Sequence, residues 1–154
     1  VLLCRRRLPF GQSGAHVMAG NMGTVSKSVS IAVPADLAWD AVTDVGNLHV
    51  RVAPGMVTDT KLEDAGAARI VTFSSGVVLR EQIISNDPAT MRLCWTASGG
   101  PWTHHNASLQ ITGHNDSCDV TWTADVLPHD AVDVIAPIIE AGLDTFKAHL
   151  ESDA

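Results

Sequence analysis

Apolar and polar residues alternate from Val25 to Val33, with Val29, Ile31 and Val33 set against Ser28, Ser30 and Ala32. A period of two predicts a strand with one face buried. Pro34 ends it. Asp36–Thr43 then predicts a short helix: Ala38, Ala41, Val42 and Val45 give an apolar side, and Asp36 falls in the first turn, where a carboxylate suits the helix dipole. Gly46 breaks this helix, and Asn47–Val52 supplies another turn or two before Pro54-Gly55. Six more strands are predicted at Met56–Glu63, Ala68–Ser74, Val77–Ser85, Thr90–Ala97, His104–Thr112 and Asp119–Leu127. Turn residues such as Asp64-Ala65-Gly66, Asn86-Asp87-Pro88 and Ser98-Gly99-Gly100-Pro101 separate them. Short strands at this spacing predict an antiparallel meander.

Asp130–Glu151 carries the one long helical pattern. Val132, Ile135, Ile139, Leu143, Phe146 and Leu150 recur at intervals of three or four, a stripe that must face a core. Pro137 lies inside it and predicts a kink or an irregular first section. The predicted class is α+β: a curved antiparallel sheet of about seven strands wrapped around a long C-terminal helix, with two short helices after the first strand. Each element covers the other's apolar face.

The chain has 154 residues, enough for one domain with a sizeable core. Ten basic and seventeen acidic side chains give a net charge of −7. Residues 1–23 hold Arg5, Arg6 and Arg7 and no acid, so the rest of the chain stands at −10, seven basic against seventeen acidic. An acidic domain lacks the basic footprint of nucleic-acid binding, and no apolar run is long enough for stable membrane insertion. Residues 1–23 show no sustained period and read as a flexible leader, with Val1, Met18 or Met22 as the start of the chain and 24–154 as the domain. Three cysteines, Cys4, Cys94 and Cys118, are an odd number without CxxC spacing, which suits a reducing, cytoplasmic setting.

Several phrases carry a resemblance: VPADLAWDAVTDVGNLH at 33–49, VVLREQIISNDPATMRLCW at 77–95, GGPWTHHNASLQI at 99–111, and VTWTADVLPHD with IIEAGL within 120–143. With the element order, they resemble the helix-grip fold of the START-like, SRPBCC superfamily, and within it the polyketide cyclase/dehydrase and lipid-transport branch. The resemblance spans roughly Val25 to Glu151. It implies a cavity between sheet and helix. Lipid carriers, hormone receptors and aromatic-ring cyclases all use this fold, so the fold alone leaves the chemistry open.

Strand alternation then assigns residues to the cavity face. Phe73, Leu79, Glu81, Trp95, His105 and Trp122 fall on the inward side, so an apolar wall carries two ionisable groups, Glu81 and His105. Their strands flank that of Trp95, which sets the two backbones about 9–10 Å apart. Ile139 and Leu143 supply the helix side, and Trp102 at the Gly-Gly-Pro turn suits a lid. A few polar groups on an apolar concave wall is what a small-molecule site requires. His104 and His105 point to opposite faces and do not share an ion, so no metal and no cofactor is expected.

Three functional readings remain open. The first is a binding protein for a small hydrophobic or aromatic metabolite, lipid or polyketide-like. The second is a cyclase or dehydrase with His105 as general acid/base and Glu81 assisting, since an imidazole titrates in the required range. The third is a protein-interaction module using the outward residues His104, Asn106, Ser108 and Gln110. The oligomeric state is not legible.

Overall fold

Seven strands form one antiparallel sheet in the order β1-β7-β6-β5-β4-β3-β2 in the computed structural model, which describes residues 22–152. The strands are β1 (Thr24–Ile31), β2 (Val57–Glu63), β3 (Ala68–Phe73), β4 (Val78–Asp87), β5 (Arg92–Ser98), β6 (His104–His114) and β7 (Ser117–Leu127). The short helices α1 (Ala35–Thr43) and α2 (Leu48–Arg51) follow β1, and α3 (Val132–Ser152) is the last of the described elements. The pattern predicts this arrangement, a curved sheet gripping one long helix. Residues 1–21 of the expected leader, with Cys4, the three arginines and Met18, lie outside the described residues.

The elements depart from their predicted bounds where side chains or bulges rewrite a turn. β4 runs through Asn86 to Asp87 because a bulge between Ile83 and Ser85 shifts its register on β5. The turn then falls after Asp87, whose carboxylate accepts the Ala89 N–H at 3.0 Å and the Thr90 hydroxyl at 2.8 Å. β6 and β7 continue to a tight hairpin in which His114 faces Ser117 and Asn115 takes a positive φ of 57°. Pro137 sits within a continuous α3; the irregular section precedes it, a 3₁₀ turn at His129–Ala131.

Ile135, Ile139, Gly142, Leu143 and Phe146 form the buried side of α3 and pack on the sheet. The last turns of α3 also cover the exposed end of β1. Lys147 Nζ donates to the Ser30 carbonyl at 2.7 Å, and the Ala32 N–H donates to Glu151 Oε1 at 2.8 Å. These contacts occupy backbone groups that an open edge would leave for another chain. Of the short helices, α1 packs against β6 and β7, and α2 against β2. Arg51 bridges Asp40 and Asp44, joining the two helices. Among the described residues no helix is long and apolar enough to cross a membrane.

Candidate functional site

Arg69 stands opposite Glu81 in the β3–β4 register, and Glu81 stands opposite Ala97 in the β4–β5 register. The β5–β6 ladder ends at Trp95 and Ala107. Carried two residues further, it would set Ala97 opposite His105. Arg69, Glu81, Ala97 and His105 therefore make one row across four strands.

At one end of the row lies a buried ion pair. Arg69 Nε donates to Glu81 Oε2 at 2.7 Å, and a terminal guanidinium nitrogen lies 2.7 Å from the same oxygen. The other terminal nitrogen donates to the Val45 carbonyl at 3.3 Å. The side chains are only 3% and 8% exposed, so each charge depends on the other. The guanidinium also lies 5.9 Å from the Trp95 ring centroid, within cation–π reach.

At the other end, side chains replace the missing backbone rungs of β5 and β6. The Ala97 N–H donates to His105 Nδ1 at 3.1 Å, the Thr96 hydroxyl donates to the His105 carbonyl at 2.6 Å, and Trp102 Nε1 donates to the Ala97 carbonyl at 2.7 Å. The Trp102 ring lies beside the His105 ring, centroids 5.1 Å apart, and flat on Gly100, where a Cβ would come within 2.1 Å of the indole. Because Nδ1 accepts a hydrogen bond, the neutral imidazole carries its proton on Nε2. Burial holds the His105 pKa below the usual histidine range, and the charge of Glu81 opposes that shift only in part.

Between this row and the helices is an apolar cavity of about 50 Å³. Phe73, Leu93, Trp95, Leu109 and Trp122 line it from the sheet, Val42 and Leu48 from the short helices, and Gly142 from α3. Arg69 and Glu81 are its charged residues. The rings of Trp95 and Trp122 meet at 5.6 Å and 57°, forming one aromatic corner. Among the described residues Trp122 Nε1–H is buried with no hydrogen-bond partner. Met56 and Phe73 also belong to a second space, an open apolar groove of about 360 Å³ between the β3–β4 turn, the β5–β6 turn and α3. Leu79, Trp102, Val134 and Ile138 line that groove.

Of the residues chosen from sequence, Phe73, Glu81, Trp95 and Trp122 meet at the cavity, and Leu79 and Trp102 line the adjoining groove. His105 borders neither space. It fills the gap between β5 and β6, and Glu81 bonds to Arg69 instead of to the imidazole. Ile139 and Leu143 pack into the core, and the adjoining face of α3, Gly142 and Ile138, meets the cavity and the groove. Ile139 and Leu143 belong to the same core cluster as the cavity residues Val42, Leu93, Trp95 and Leu109, and they fill that cluster instead of facing free space. Arg69 was missed, although strand parity with Val71 and Phe73 places it inward. Among the described residues no group of three or more His, Cys, Asp or Glu side chains gathers for a metal ion.

A family model described as polyketide cyclase/dehydrase and lipid transport matches residues 22–151. No curated protein matches the chain. A START superfamily protein from Mycobacterium smegmatis superposes with a TM-score of 0.68 at 17% identity, covering 85% of this chain and 99% of that one. Truncated norcoclaurine synthase from Thalictrum flavum gives 0.62 at 17% identity, covering 82% and 92%. A Thermobifida fusca protein gives 0.67 at 27% identity, covering 82% and 91%. At the lower identities the likeness carries the helix-grip fold alone.

Proposed function

Since the chain belongs to the polyketide cyclase/dehydrase and lipid transport family, whose roles are hydrophobic ligand binding or cyclisation, we propose that it binds a small hydrophobic molecule between sheet and α3. The observation that carries this reading is an apolar cavity with one buried ion pair in its wall, sharing Met56 and Phe73 with an open apolar groove. Such a wall rewards burial of apolar surface and leaves one polar point to orient the ligand. The cavity alone, about 50 Å³, holds only a few waters. A metabolite must therefore occupy groove and cavity together, with Phe73 and Met56 turning aside. Trp102, resting on Gly100 at the groove wall, is the natural lid.

In this reading His105 keeps the β5–β6 gap closed and holds the lid by contact with Trp102. Its Nδ1 is occupied by the Ala97 N–H, which leaves the ligand to be anchored by the ion pair.

The test is mass spectrometry of solvent extracts from the purified protein beside Trp122→Ala, which removes an aromatic wall. A stoichiometric apolar compound, depleted in the variant, is the expected result. Extracts without such a compound, together with no chemical-shift change on titration with aromatic probes, would refute the reading. A compound released in altered form would add the family's cyclase chemistry to binding.

A further inference from the structure

We propose that the ligand's polar end is a neutral hydroxyl, an alcohol or a phenol, donating to Glu81 Oε1, and that buried Arg69 is not an anion receptor. This rests on the cavity being the ligand site.

A buried arginine in a binding cavity ordinarily invites a carboxylate or phosphate. Here the guanidinium is already committed. Two of its nitrogens lie 2.7 Å from Glu81 Oε2 and the third donates to the Val45 carbonyl. Both contacts to the carboxylate converge on Oε2. Among the described residues nothing donates to Oε1, and that atom is not sealed within protein as Trp122 Nε1 is. Glu81 lines the cavity, and Oε1 is the oxygen of its carboxylate that Arg69 leaves unengaged.

The charges choose the partner. An anionic head group would meet the open oxygen of a carboxylate in an apolar enclosure, where like charges repel strongly. A cationic head group would leave a net positive charge among tryptophans and leucines, with the cost of its own desolvation. A hydroxyl brings no charge and offers the single donor that Oε1 lacks. A hydrogen bond to a charged acceptor also exceeds a neutral one in strength. The apolar remainder of the ligand would lie against Trp95, Trp122 and Phe73.

The experiment is an NMR titration at pH 7 with three probes of one shape: 2-naphthol, 2-methylnaphthalene and 2-naphthoate. The expected order is naphthol about tenfold tighter than methylnaphthalene, from one charge-assisted hydrogen bond, with naphthoate weakest. In Arg69→Met/Glu81→Leu, a substitution that removes both charges and leaves neither buried alone, naphthol should lose its advantage and bind like methylnaphthalene. Equal binding of naphthol and methylnaphthalene by the unaltered protein would overturn this inference and leave the cavity reading standing. Tightest binding by naphthoate would make Arg69 the receptor after all. Binding of none of the three would refute the cavity reading and this inference together.

Discussion

Gly142 of α3 lies so close beneath Trp122 of β7 that a Cβ at position 142 would stand 2.7 Å from the ring carbon Cζ3. The absence of a side chain there lets the indole lie against the helix and form an aromatic corner with Trp95. Gly142→Ala brings opposing effects. Alanine favours a helix interior by roughly 1 kcal/mol, whereas overpacking costs about 1–3 kcal/mol. Trp95 limits how far the indole can turn away, so overpacking should win. The expected outcome is a lower urea midpoint and a changed tryptophan emission spectrum; a rise in thermal midpoint would show that the ring moves freely.

The Arg69–Glu81 pair has a different signature. Leaving either charge alone in the apolar wall should cost about 3–5 kcal/mol, as for other broken buried pairs. Arg69→Met alone and Glu81→Leu alone are both expected to be severely destabilised. The double variant should recover most of the loss, because well-packed apolar replacements avoid the desolvation penalty. Urea unfolding of all three closes a double-mutant cycle; additive losses would show that the two groups act independently.

Cys94 and Cys118 are buried, and burial, followed by the charge of Asp119, raises the Cys118 thiol pKa. Neither should react with a thiol reagent while the protein is folded. In a labelling time course at pH 8, both should become reactive only in denaturant. Rapid labelling of either in native buffer would reveal local opening of β5 or β7.

How much of this was legible follows from the period of each segment. The strand pattern and the α3 stripe give the sheet, the helix and their contact, since inward residues on both are apolar and regularly spaced. Inward Glu81 and Trp122 follow from the same parity. Arg69 obeys that parity too, but a long cationic side chain reads as solvated unless its partner across the strands is recognised. The register Arg69↔Glu81 exists only once β3 and β4 are paired. The actual place of His105 depends on a ladder that stops at Trp95↔Ala107, and nothing in a period of two announces a missing rung. Ile139 and Leu143 illustrate the same limit for a helix: the stripe says that they are buried, and tertiary packing decides which neighbours bury them.

His105 gives the fold a pH dependence with a definite sign. Its folded-state pKa is lowered, chiefly by burial, so the neutral form is favoured in the folded protein. As pH falls through about 6.5, the ordinary histidine value, the unfolded chain takes up the proton before the folded one does. Stability present above that value is then lost progressively as pH falls toward the folded-state pKa. Protonation also removes the lone pair that accepts the Ala97 N–H. His105→Gln should flatten the dependence of unfolding free energy on pH below about 6.5, relative to the unaltered protein, by at most the slope of one proton, about 1.4 kcal/mol per pH unit. Parallel curves for the two proteins would mean that His105 does not titrate between the states.

Trp102 should couple the β5–β6 gap to the groove, because one ring serves both. Its Nε1–H satisfies the Ala97 carbonyl at 2.7 Å, its ring lies 5.1 Å from that of His105, and it lines the groove. Trp102→Phe keeps an aromatic wall and removes the donor, leaving a half-buried carbonyl to water. The expected cost is about 0.5–1.5 kcal/mol, with faster amide hydrogen exchange at Ala97 as the rungs around it loosen. Trp102→Ala removes the lid as well, so release of a bound aromatic probe, followed by NMR line broadening, should accelerate beyond that in Trp102→Phe. Equal release rates in the two variants would place the barrier to exchange elsewhere, at Phe73 and Met56, and would leave Trp102 with the hydrogen bond as its main contribution.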